Sequence, residues 1–173
     1  MSLTRRSAVV AACLSLAASF ALAQAPLELK ITAPAAPGGG WDGAARSLQQ
    51  VMTATGAAKS VQVVNVPGAG GTVGLAQFVN GSKGDPSAMM VMGAVMLGGI
   101  ITGKPPVNLS QATPVARLTS EYNVFVLPAS SPLKTMKDVV EQLKKDPGSV
   151  KWGGGSRGST EHIAAAMIAR AVG

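Results

Sequence analysis

The chain has 173 residues and a formal net charge of +7, with 47% hydrophobic and 13% charged residues. That composition excludes a disordered chain, and the length suits one ordinary domain or two small ones. There is no long Lys/Arg block, and only one Tyr, two Trp and three Phe could stack on bases, so nucleic acid is not an expected partner. With so few aromatics the core must come from Val, Ile, Leu, Met and Ala, and the eight methionines read as adaptable filler.

The first 23 residues read as a secretory signal peptide. MSLTRR is a short basic start, SAVVAACLSLAASFALA is apolar, and Ala21-Leu22-Ala23 is a small-x-small cleavage site before Gln24. Thr4-Arg5-Arg6 leaves both the general and the twin-arginine export routes open. Arg5 and Arg6 leave with the signal, which holds no acid, so the charge falls from +7 to +5, a mild attraction for anions. Cys13, the only cysteine, leaves too, so an exported chain without disulfides must fold on its core, as befits a periplasmic protein.

Beyond the signal, strand-like and helix-like segments alternate. Leu27–Ile31 alternates as a strand, and Gly40–Thr53 carries apolar residues at helical spacing. Val61–Val66 is β-rich, Thr72–Val79 reads as a short helix, and Met89–Met92 as a buried parallel strand. This β-loop-α order predicts an α/β fold with parallel sheets and helices on their faces. Residues 24–100 form the expected first lobe. The glycines and prolines from Ala94 to Pro114 read as a crossing into a second lobe, residues 101–173. Strands are expected there at Val115–Leu118, Asn123–Leu127 and Ser149–Trp152. Helices are expected from a Thr135 cap to about Lys145, and over Glu161–Arg170.

Three glycine-rich loops each follow a strand-like run and open a helix-like one. They are PAAPGGGWD (34–42), PGAGGT (67–72) and GGGSRGST (153–160). Glycine lets a ligand approach the backbone, and helix N-termini offer unpaired N–H groups with partial positive charge. Such loops can hold a carboxylate or phosphate without a charged side chain. Each alone also reads as a plain turn. Asp42 reads first as a helix N-cap and second as a ligand contact, and Trp41 as a packing residue or a wall of the cleft.

Enzyme signatures are weak. Gly154, Ser156 and Gly158 satisfy G-x-S-x-G, but His162, the only histidine, lies too close in sequence for the usual triad. Gly153, Gly155 and Gly158 satisfy the dinucleotide fingerprint, whose acidic partner position lies beyond residue 173, and the lysine of a phosphate-binding loop is absent. No zinc cluster is present, and neither a cofactor nor a metal is expected.

Taken together, the signal peptide, APAAPGGGWDGAAR, VNVPGAGGTVG, SSPLKTMKDVVEQLKKDPGSVKWGGGS and GSTEHIAA resemble the substrate-binding receptors of tripartite tricarboxylate transporters, the Bug-type periplasmic proteins. The resemblance implies a two-lobed, Venus-flytrap, periplasmic-binding-protein-like fold. It implies a di- or tricarboxylate ligand, citrate-like, held between the lobes, and no catalysis. Ligand contacts would fall on Pro37, Gly38, Gly39, Gly40, Trp41 and Asp42, on Gly70, Gly71 and Thr72, and on Gly154, Ser156, Gly158, Ser159 and Thr160. The partners would be a large and a small membrane subunit, served by a monomeric receptor. Members of that family run longer, so the second lobe is expected to be incomplete in this chain. A non-functional receptor fragment and a secreted serine hydrolase using Ser156 are the competing readings.

Overall fold

The computed structural model describes residues 27–173, so the signal peptide and Cys13 lie outside the described residues. The chain opens with strand β1 (Leu27–Ala33), helix α1 (Gly40–Ala54), strand β2 (Ala58–Asn65), helix α2 (Thr72–Gly81) and strand β3 (Ala88–Met90). The three strands form one parallel sheet in the order β2-β1-β3. This is the α/β architecture expected, one lobe of a periplasmic-binding-protein-like fold.

Alternation along β1 decides its faces. Leu29, Ile31 and Ala33 are buried and join Ala45 of α1 with Ala58 and Val61 of β2 in one core cluster. A second cluster gathers Leu75 of α2 with Met96 and Val107, and Trp41 and Met90 pack against it. Ile31 and Leu75 are completely enclosed. Each such side chain contributes about 1.5–3 kcal/mol through burial.

Helix α3 (Ala94–Gly103) corrects the sequence reading, which took this stretch for a punctuated crossing. Its run AVMLGGIITG holds no proline, and Met96, Gly98 and Gly99 are buried. The two glycines act here as contact surface. Helix α4 (Met136–Lys145) starts where the sequence places it. Thr135 Oγ1 accepts from the Asp138 N–H at 3.2 Å, and Asp138 Oδ2 accepts from the Thr135 N–H at 2.8 Å. This reciprocal pair is a capping box. Helix α5 (Thr160–Val172) closes the described chain.

The three strands expected in the second half do not form. Residues 113–128 and 150–154 carry no regular element. A strand exists through its ladder, and among the described residues these backbones make only a local turn bond, from the Ser131 N–H to the Pro128 carbonyl. Phe125 and Trp152 do meet edge to face, with ring centroids 6.0 Å apart. Side-chain contact brings the two segments together without a shared ladder, and a groove of about 400 Å³ lies between them.

Candidate functional site

The first glycine loop is fixed from behind by Asp42. Its Oδ2 accepts from the Gly38 N–H at 2.9 Å and from Arg46 Nε at 3.0 Å, and its Oδ1 accepts from Asn65 Nδ2 at 2.8 Å. Asn65 also donates to the Ala35 carbonyl at 3.1 Å, tying the loop to the end of β2. The N-cap of α1 is Gly39, not Asp42 as the sequence suggested. Asp42 stands three positions on and reaches back, because its side chain is long enough to close onto the loop amide. The hydrogen bonds from Arg46, Gly38 and Asn65 hold its carboxyl down to about 2, against an ordinary 3.8. Three donors, the Arg46 guanidinium among them, therefore offset its charge, so it opposes a bound anion far less than a free carboxylate would.

This pKa sets a pH dependence. The folded value lies below the unfolded one, so the stabilising effect is complete above the unfolded value. It is lost as pH falls through about 4 to about 2. Melting points of the wild type should drop across that window. Asp42→Asn should melt lower at neutral pH and show a flatter acid limb. An unchanged acid limb in the variant would remove Asp42 from this role.

The first and second loops meet at Trp41. A Cβ built on Gly71 would stand 2.7 Å from Trp41 Cζ3 and 2.9 Å from Met96 Cε. Gly71 also has φ +92°, which other residues rarely adopt, so glycine is required there twice over. Trp41 touches Gly93 as well, with Nε1 3.0 Å from where a Cβ would sit. Gly39, Gly71 and Gly93 are the N-caps of α1, α2 and α3, and none has a side-chain cap. Three glycine-capped helix N-termini thus converge on one indole. The N–H groups of Gly40, Trp41 and Asp42 meet no acceptor among the described residues, nor do those of Ala94 and Val95. Open N–H groups and helix dipoles at one place favour an anion.

The candidate residues differ in availability. Pro37, Gly38 and Gly40 are exposed, Gly39 and Trp41 half-buried, and Asp42 buried. In the second loop Thr72 is committed: its N–H and its hydroxyl both donate to the Ala69 carbonyl, the hydroxyl at 3.0 Å. Gly70 leans on α3, where a Cβ would lie 3.4 Å from Gly99 Cα. Gly93 is absent from the sequence-based set. Its signal was the order already noticed elsewhere, a β-like run, then glycine, then an apolar helix.

The third loop docks further along α3. A Cβ on Gly98 would stand 1.8 Å from the Gly158 carbonyl oxygen, so the two backbones touch. Gly98 lies five residues beyond Gly93, about 7 Å along the helix axis. Ser159 is fully buried and its Oγ accepts from the His162 N–H at 3.3 Å. Thr160 Oγ1 is 3.2 Å from Asn123 Oδ1 and 3.3 Å from Glu161 Oε2. Hydrogen bonds from the Ser159 hydroxyl, from its own backbone amide and from Thr160 hold the Glu161 carboxyl below its ordinary range against the effect of burial. The start of α5 is therefore supplied with a carboxylate of its own. Gly154 and Ser156 remain exposed. His162 Nδ1 accepts from the Gly158 N–H at 3.1 Å, and no hydrogen bond joins it to Ser156. The described residues hold no group of three or more metal-ligating side chains.

A parallel α/β lobe with helix N-termini gathered at the ends of its strands places a ligand crevice at that edge of the sheet. The family model described as "TctC: Tripartite tricarboxylate transporter family receptor" matches residues 44–173, and the chain belongs to that family. The match begins two residues after Asp42 and covers the second and third loops. No curated protein and no solved structure matched the chain. The family is one of periplasmic, non-catalytic carboxylate receptors that serve the membrane subunits of a transporter.

Proposed function

We propose that this receptor captures a di- or tricarboxylate of the citrate type and delivers it to the large and small membrane subunits of a tripartite transporter. The observation that carries the proposal is the meeting of three glycine-capped helix N-termini at Trp41. Several carboxylate groups on one small ligand match several N–H clusters at once. The apolar indole beside them lowers the local dielectric and strengthens each contact. In this reading Gly39, Gly40 and Gly93 present backbone amides, Trp41 walls the site, and Asp42 holds the first loop in shape. Gly154 and Ser156, the exposed part of the third loop, supply the closing contacts of a second lobe. Closure is selected by a ligand that touches both sides.

Thermal melts of the exported chain with citrate, tricarballylate, malate and glutamate test the proposal. A ligand that binds only the folded state raises the midpoint, by RT ln(1 + [L]/Kd) in free energy. Citrate or tricarballylate should shift it most. A shift by glutamate alone, or by none of the four, would contradict the ligand class.

A further inference from the structure

Asn65 is polar where the alternation of its strand calls for an apolar residue. Side chains two positions apart on a strand share a face, so Val61, Val63 and Asn65 point the same way. Val61 is buried in the first core cluster, and Val63 packs against it. Asn65 ends that row at the last rung of β2, paired with Ala33 at the last rung of β1. Because the two strands end together, its side chain stands beside the chain that leaves β1. One residue later Val66 donates its N–H to the Ala33 carbonyl at 2.9 Å, and the second glycine loop begins at Pro67.

The Asn65 amide commits its N–H groups to the first loop. Nδ2 donates to the Ala35 carbonyl at 3.1 Å and to Asp42 Oδ1 at 2.8 Å. Both partners only accept, so the position requires an NH2 group, and aspartate has nearly the same shape with no donor there. With Oδ1 held, Asp42 offers Oδ2 to the Gly38 N–H at 2.9 Å and to Arg46 Nε at 3.0 Å. Among the described residues Arg46 is the charged group that faces Asp42. Asn65 therefore has its side chain on the first loop and its backbone leading into the second.

We infer that, on the carboxylate reading of the site, Asn65 is its positioning residue: through Ala35 and Asp42 it holds the open N–H groups of α1 in register with the second loop, and it keeps the Asp42 carboxylate engaged within the first loop rather than opposed to the bound anion. Asn65→Asp sets a second carboxylate against Asp42 and leaves the Ala35 carbonyl without its donor. Asn65→Ser shortens the reach and adds no charge. The exchanged pair, Asp42→Asn with Asn65→Asp, again sets an amide against a carboxylate and restores the net charge.

Titration calorimetry of citrate into the exported chain and these variants, well below each melting point, decides the matter. The wild type should bind, and Asn65→Asp and Asn65→Ser should bind at least about tenfold more weakly, as the loss of a hydrogen bond to a charged group requires. The exchanged pair should bind more tightly than Asn65→Asp or Asp42→Asn alone, a recovery that a residue serving only the fold would not give. Asn65→Ser carries the result if two facing carboxylates prevent folding. Full affinity in Asn65→Ser or Asn65→Asp, or no recovery in the exchanged pair, would overturn the role of Asn65 and leave the ligand reading standing. No binding by the wild type would overturn both.

Discussion

Gly98→Ala should lower stability by about 2 kcal/mol, although alanine is the better helix former. Propensity favours the substitution by about 1 kcal/mol inside a helix. Geometry opposes it more strongly. The added carbon would stand 1.8 Å from the Gly158 carbonyl oxygen, a backbone atom that cannot rotate away. Overpacking of this kind costs about 1–3 kcal/mol and moves backbone, and a contact this short belongs at the upper end. The movement should undock the third loop and α5 from α3. Gly103→Ala is the matched control, because its Cβ meets nothing within 4 Å. That variant should melt at or above the wild type. Equal stability of Gly98→Ala and the wild type would mean that α3 and the third loop do not touch as described.

Gly40→Val should abolish carboxylate binding while leaving the fold intact. Gly40 is exposed at the first position of α1, and a Cβ there meets nothing within 4 Å. Valine is no worse than glycine in a helix, so the melt should not fall. The branched side chain would instead stand over the open N–H groups of Gly40 and Trp41. Hydrogen bonds to a charged group contribute about 1.5–3 kcal/mol each, so losing two weakens binding at least a hundredfold. Gly39 is a poorer choice, since its Cβ would press on the Ala36 carbonyl at 3.1 Å and mix folding with binding.

Much of the lobe was legible because its signals are local. Alternation in Leu27–Ile31, helical spacing after Gly40 and the cap at Thr135 all concern residues a few positions apart. Helix α3 was missed because Gly98 and Gly99 were taken as breaks, whereas their bareness admits Gly158 and Gly70. Val115–Leu118 and Asn123–Leu127 have strand composition, yet a ladder depends on a partner that composition does not name.

The site was legible in its parts more than in its arrangement. The glycine loops stand out in the sequence, and so does the helix that follows each. That Asp42 is held by Asn65, 23 residues later, follows from the parallel register pairing Ala33 with Asn65. That Trp41 gathers Gly71 and Gly93 follows from packing across helices distant in sequence. Thr72 has the right residue type for a ligand contact, but its hydroxyl is already given to Ala69.

The central claim is that the helix N-termini around Trp41 hold the carboxylates. Titration calorimetry of citrate into the wild type and into Gly40→Val, compared at equal melting points, tests it most directly. The account predicts saturable heat from the wild type and none from the variant. Equal affinity in the two proteins would contradict it and move the anion site away from the first glycine loop.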